Sequence, residues 1–249
     1  MRPDLIGLLV ALGLCFGSMA VFRLRHDPAA HDPFESTQRG TFALGGFVKS
    51  WFFWFIHPLV ALAVKAGLSP TLFNILGALF GAAAGFAFAV GQPVWGGWGI
   101  FLGGAADVFD GRIARTRGIA SPRGAFLDSS LDRFAEVGVF AGLAVFFQDR
   151  PFEVLMVALA LGGSLLVSYT RARGESQGVV CTVGIMQRGE RLLLLGFAGL
   201  LDPSIVQWLG KPPGTLLGWV ISIIAVGTLA TAIFRTVWIA KRLPHFETD

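Results

Sequence analysis

The feature that most constrains this chain is a succession of apolar runs, each close to the length that crosses a lipid bilayer. A transmembrane helix needs roughly 20 predominantly apolar residues, and runs of that kind recur from about residue 4 to about residue 240. Backbone N–H and C=O groups find no water in hydrocarbon, so spanning segments must be helices or the strands of a closed barrel. Barrel strands alternate apolar with polar residues; these runs are continuous, which argues against a barrel. Only 14% of the residues are charged, against about 25% in an ordinary soluble domain. The 33 glycines suit helices that approach closely in lipid. The sequence therefore predicts an all-α integral membrane protein.

Seven spans are expected, at about 4–22, 70–91, 95–117, 122–147, 151–173, 188–208 and 214–240. The first could be a signal peptide, with Ser18-Met19-Ala20 in the place of a cleavage site. Arg2 alone precedes the run, however, while Arg23 and Arg25 follow it at once, so we read a transmembrane helix with its N-terminus outside. Residues 23–46 are a polar connection in which His26-Asp27-Pro28 and His31-Asp32-Pro33 form a small repeat. That spacing between prolines is a solvated loop rather than a helical metal pair. The segment 47–66 combines Lys49, His57, Pro58 and Lys65 with the aromatics Trp51, Phe52, Phe53, Trp54 and Phe55. Lysines with aromatics favour a helix lying along the membrane surface, with a short, kinked span as the alternative. Ser69-Pro70 starts the next helix, on which Gly77, Gly81 and Gly85 line one face as a close-packing seam.

Charge sets the orientation. With 23–69, 112–123, 171–191 and 235–249 on the cytoplasmic side, all but Arg2, Arg150 and Lys211 of the 20 Lys and Arg residues lie there or at the helix ends facing it. The pI near 9.6 thus reflects topology and anionic-lipid contact, not nucleic-acid binding. Cys15 and Cys181 are far apart and have no metal-ligand spacing, so we read two unpaired thiols.

The chemistry is carried by four aspartates. Asp107 and Asp110 are three residues apart, and Asp128 and Asp132 four apart. On helices, each pair shares one face. Carboxylates crowded near a bilayer repel one another unless a cation joins them. Oxygen-only ligands suit Mg²⁺, Mn²⁺ or Ca²⁺ rather than zinc, and two metals about 3.5–4 Å apart would clamp a pyrophosphate during displacement. Gly111, Ala114 and Gly124 leave room for a nucleotide against the helices, and Arg115 can pair with a phosphate. One such aspartate would pass as a solvated cap. Four, with Gly, Ala and Arg interleaved, would not.

The stretch 107–132 resembles the motif of the CDP-alcohol phosphotransferase family, D-x₂-D-G-x₂-A-R-x₈-G-x₃-D-x₃-D, with every specified position present. The helix layout extends the similarity to about 47–242. The resemblance implies a six-helix core plus an interfacial helix; residues 1–46, with one extra N-terminal transmembrane helix, lie outside it. Domains are then 1–46, the extra helix and its cytoplasmic loop, and 47–249, with the interfacial helix at 47–66 and six spans at about 70–240. It further implies that Asp107, Asp110 and Asp128 hold the metals, two Mg²⁺ or Mn²⁺ ions per site, with Asp132 contributing to the second and serving as general base. Asp107, Gly111, Ala114, Arg115 and Gly124 would hold the CDP group. Much of the family opens the preceding helix with S-P-N-x-x-T, whereas this chain has Ser69-Pro70-Thr71-Leu72-Phe73-Asn74. Asn and Thr are exchanged, so Thr71 and Asn74 are the candidates there. The resemblance also implies a homodimer in the cell (inner, cytoplasmic) membrane, with the site facing the cytoplasm.

Family donors are usually CDP-diacylglycerol with a polar acceptor, or a CDP-amino alcohol with diacylglycerol. The segments Ser168–Glu175 and Cys181–Arg191 are similar to the corresponding region of prokaryotic phosphatidylinositol phosphate synthases. Arg171, Arg173, Arg188, Arg191 and Arg235 would then form a cationic pocket for the phosphate of inositol 1-phosphate, with Arg191 and Arg188 foremost. Some of them also serve as positive-inside anchors. Phosphatidylglycerol phosphate synthesis, from glycerol 3-phosphate, is the competing reading, followed by transfer to inositol or serine. A cation transporter would place its carboxylates near the bilayer midplane; these four crowd one edge, with Glu136 and Glu190 near it. A catalytically silent scaffold would not need the complete motif.

Overall fold

The computed structural model describes residues 3–25 and 45–243. Among the described residues there are eight α-helices and no strand: α1 (Pro3–Arg25), α2 (Gly45–Lys65), α3 (Pro70–Ala89), α4 (Pro93–Thr116), α5 (Pro122–Phe146), α6 (Pro151–Ser176), α7 (Arg188–Leu209) and α8 (Thr215–Ala240). The His-Asp-Pro repeat and Arg2 lie outside the described residues. Proline opens α3, α4, α5 and α6, where its missing N–H and fixed φ cost nothing. Four helices, α3, α6, α7 and α8, are long and apolar enough to cross a membrane. Helices α4 and α5 are of spanning length, at 24 and 25 residues, yet fall short in apolarity. The physical reason is that α4 ends in Asp107, Asp110, Arg112 and Arg115, while α5 begins with Arg123, Asp128, Asp132 and Arg133. Apolar stretches in α1 and α2, Gly13–Leu24 and Ser50–Lys65, are shorter.

The chain forms two compact units. The first comprises Met1–Phe80 and Leu102–Asp132. On α2, Phe53, Ile56, Val60 and Ala63 recur at helical spacing and are buried, together with Ile113 of α4, which is fully enclosed. Another part of α2 meets α1: Phe22 is 1% exposed, its ring 5.6 Å from Phe47 and 5.5 Å from Trp54. The Trp51 indole N–H donates to Ser18 Oγ at 3.1 Å. Pro58 sits within α2 without ending it.

The second unit comprises Gly81–Phe101 and Arg133–Asp249. Its core joins Phe88, Ile100, Phe140, Leu143, Phe147, Leu195, Leu217, Ile221 and Ile224. The glycine seam on α3 is real and extends to α5. A Cβ on Gly81 would strike Ala135, one on Gly85 the Gly138 carbonyl, and one on Gly142 the Gly85 carbonyl. Gly77, in the first unit, faces Gly103 and Ala106 of α4 instead. Helix α8 packs against α6 and α7, and Gly163 lets Thr228 approach the α6 backbone.

One buried carboxylate organises the α7–α8 turn. Asp202, with no exposed surface, accepts N–H bonds from Gly214 (2.7 Å), Leu216 (2.9 Å) and Leu217 (3.2 Å). It thereby satisfies the donors that open α8, a role that side chains at helix N-termini ordinarily fill. Gly210 and Gly214, at φ 62° and 85°, supply the left-handed backbone on either side of Pro212-Pro213. Asp202→Ala leaves three donors, two of them buried, without this acceptor and should lower stability by about 2–4 kcal/mol. Asp202→Asn, which keeps one acceptor oxygen, should cost less. Thermal unfolding of the two variants in detergent measures the difference.

Candidate active site

Helical geometry brings the motif together within the first unit. Asp107 and Asp110, one turn apart near the end of α4, and Asp128, in the second turn of α5, place carboxylate oxygens within 4.8 Å of one another. Asp110 is 5% exposed, while Asp107 and Asp128 are half-buried. The Gly111 N–H donates to Asp110 Oδ1. Asp132 stands outside this triad, one turn further along α5, yet close enough to act on the Asp110 charge, as do Asp107 and Asp128.

Three carboxylates at such separations repel by roughly 3 kcal/mol per pair at an effective dielectric near 20. A divalent cation with oxygen ligands removes that cost, and the donor set, all carboxylate, fits Mg²⁺ or Mn²⁺ and not a thiolate- or imidazole-seeking metal.

The nucleotide candidates occupy the same unit. The Arg115 guanidinium lies over Gly111: a Cβ at Gly111 would stand 3.3 Å and 3.4 Å from its terminal nitrogens. The open space expected above Gly111 is therefore shared with Arg115, four residues on along the helix. Ala114 and Gly124 are half-buried, and the Gly124 N–H donates to Ser121 Oγ at 3.2 Å. Thr71 is exposed and Asn74 half-buried on the first turns of α3. That end of α3 is tied to the end of α4 by the stacked rings of Phe73 and Phe109, 5.4 Å apart, and by Arg117 donating to the Leu68 carbonyl.

The arginines assigned to the acceptor belong to the second unit, and most carry partners of their own. Arg191 is 3% exposed, pairs with Glu136 at 2.7 Å and donates to the Met186 carbonyl. Glu136 also holds Arg133 at 2.7 Å, and Arg133 donates to Ser168 Oγ. Arg235, also 3% exposed, donates to the Val183 and Val167 carbonyls, fastening the 177–187 loop to α6 and α8. Arg171 is exposed and pairs with Glu175. Arg133 and Arg188 act on the Arg191 charge, and Arg171 and Arg191 on that of Arg235. Arg173 is exposed on the last turn of α6. The sequence marks Glu136 only by its place near an edge and gives Asp202 no partner. An isolated acid in an apolar run, which must find a partner, was the signal in both cases.

The profile of CDP-alcohol phosphatidyltransferases matches residues 68–238. The chain belongs to this family. It is 34% identical over 213 residues to the phosphatidylinositol phosphate synthase of Streptomyces avermitilis, covering 81% of this chain and 84% of that protein. It is also 34% identical over 190 residues to the archaetidylinositol phosphate synthase of Methanothermobacter thermautotrophicus, covering 76% and 90%. Two crystal structures of Mycobacterium tuberculosis phosphatidylinositol phosphate synthase are similar to it at 27% identity. One, in complex with manganese and citrate, has a TM-score of 0.65 over 74% of this chain and 88% of that one. The other, with CDP-DAG bound, has a TM-score of 0.64 over 73% and 92%. The chain is accordingly a multi-pass membrane CDP-alcohol phosphatidyltransferase.

Removing one partner of a buried ion pair leaves the other charge uncompensated, at about 3–5 kcal/mol. Glu136→Ala strands Arg191 in this way and should lower the unfolding temperature in detergent sharply. The double variant Glu136→Gln with Arg191→Met should recover much of the loss.

Proposed function

We propose that this enzyme transfers the phosphatidyl group of CDP-diacylglycerol to the hydroxyl of a phosphorylated polar alcohol, inositol 1-phosphate, and releases CMP. The observation that carries the reading is the carboxylate triad in a complete family motif, joined to similarity with phosphatidylinositol phosphate and archaetidylinositol phosphate synthases over most of their length.

Asp107, Asp110 and Asp128, with Asp132 contributing, hold two divalent ions, Mg²⁺ or Mn²⁺. Bound metal neutralises the pyrophosphate and acidifies the acceptor hydroxyl. Asp107, Gly111, Ala114, Arg115 and Gly124 hold the CDP group, with Thr71 and Asn74 available as hydrogen-bonding side chains. Asp132 takes the proton of the acceptor hydroxyl; the freed oxygen attacks the β-phosphorus in line; the bond to CMP breaks and CMP leaves. Arg188, Arg191, Arg171, Arg235 and Arg173 receive the acceptor's phosphate. Arg191 reaches that task already oriented by Glu136, and the planar guanidinium suits a phosphate's paired oxygens.

Residues 1–46 are an added transmembrane helix and cytoplasmic loop, and 47–249 the catalytic domain, with α2 lying at the bilayer interface. The protein works as a homodimer in the cytoplasmic membrane, its aspartates facing the cytoplasm, where nucleotide-activated donors are made. The distribution of Lys and Arg supports this orientation.

CMP release by purified protein, with inositol 1-phosphate, glycerol 3-phosphate, inositol and serine offered in turn, decides the acceptor. Inositol 1-phosphate should be strongly preferred; preference for glycerol 3-phosphate would replace this reading by phosphatidylglycerol phosphate synthesis. Asp132→Asn should reduce kcat by about 10²–10⁴-fold, the range that general-base catalysis supplies. Asp128→Asn should abolish metal-dependent turnover. Full activity in either variant would sink the mechanism.

A further inference from the structure

Arg112 lies between the motif aspartates and the nucleotide arginine, but it points elsewhere. Two residues on a helix lie roughly 200° apart in azimuth, so Arg112 projects from nearly the opposite face of α4 to Asp110. Although charged, it is only 5% exposed, and its guanidinium carbon sits 3.9 Å from the centre of the Phe53 ring on α2. Its neighbour Ile113 is completely buried among Phe53, Ile56, Val60 and Ala63 of that same helix. On its other flank α2 is fastened to α1 by the Trp51–Ser18 bond and by the packing of Phe22 against Trp54.

A cation over an aromatic face is held best when desolvated, and a planar guanidinium stacks there where an ammonium cannot. The contact therefore resists rotation of α4 about its own axis. Rotation is what the site can least tolerate. Asp107 and Asp110 must present their oxygens towards Asp128 within a few ångströms, and side chains on a helix turn with it as a rigid body.

We propose that α2 is a positioning element for the metal site, with Phe53 and Arg112 as positioning residues that hold α4 at the azimuth where Asp107 and Asp110 face Asp128. The inference rests on the reading of the aspartates as metal ligands. It also gives the additional helix α1 a task, since α1 backs the helix that carries Phe53.

The test measures Mn²⁺ binding to the full-length protein in lipid nanodiscs by electron paramagnetic resonance, without substrates, beside the unfolding temperature in the absence of metal. Wild type should bind Mn²⁺ and Asp110→Asn should not. Phe53→Leu, which keeps apolar bulk but loses the ring, should weaken Mn²⁺ affinity about tenfold, as the loss of a partner that orients ligands typically does. Phe53→Tyr, which restores the ring, should bind as wild type. The Mn²⁺ concentration for half-maximal CMP release should rise in parallel for Phe53→Leu, while the KM for CDP-diacylglycerol at saturating Mn²⁺ stays within twofold. A merely structural role for Phe53 would lower the unfolding temperature and leave the Mn²⁺ affinity unchanged, which overturns the proposal. Equal weakening in Phe53→Leu and Phe53→Tyr overturns it as well. Should Phe53→Leu not fold, Arg112→Lys is measured in its place, and wild-type Mn²⁺ affinity there overturns the proposal. Failure of wild type itself to bind Mn²⁺ would instead remove the metal reading, and this inference with it.

Discussion

Repulsion among Asp107, Asp110 and Asp128 is the constraint to which the first unit is built. Their oxygens lie within 4.8 Å of one another, and Asp110 is almost fully enclosed. Left alone, such a group would drive its helices apart. Two things keep it assembled. Packing beside the carboxylates, through Ile113, Phe109 and the apolar stripe of α2, holds the helices. Cation binding in front removes the repulsion and turns the crowded carboxylates to use.

The second unit likewise uses charge inward. Glu136 gathers Arg133 and Arg191, and Arg235 spends its donors on the carbonyls of Val183 and Val167. These fixed partners tie α5 to α7, α5 to α6, and the 177–187 loop to α6 and α8. The close glycine contacts of α3 with α5 serve the same end by a different route, since backbones in direct contact leave little room for helices to slide.

Local spacing made the motif legible from sequence. A turn of helix returns every 3.6 residues, so Asp107 with Asp110 and Asp128 with Asp132 had to share faces whatever the rest of the chain did. The helix starts were equally visible, because Pro70, Pro93, Pro122 and Pro151 can open helices but not continue them. Partners far apart in the chain were not visible. Glu136 and Arg191 are separated by 55 residues, and Arg235 reaches across 52 and 68 to its carbonyls. No period in the sequence connects such positions; only the packing of α5, α6, α7 and α8 does. Asp202 is the intermediate case: an acid in an apolar run advertises a missing partner, but its donors, 12 to 15 residues on, appear only once the turn is closed.

Composition and helical periodicity determined, unaided, that the chain is a bundle of membrane helices with a carboxylate cluster at the facing ends of two of them. Both conclusions depend on forces that act within one helix: the cost of an unsatisfied backbone in lipid, and the fixed angle between successive side chains. Tertiary structure decided which arginines are committed and to what, that Arg115 folds over Gly111, and that α2 stands behind α4 with Phe53 against Arg112. Those facts depend on which helix faces which. Every apolar helix in the chain is compatible with many neighbours, so side-chain packing between helices had to make that choice.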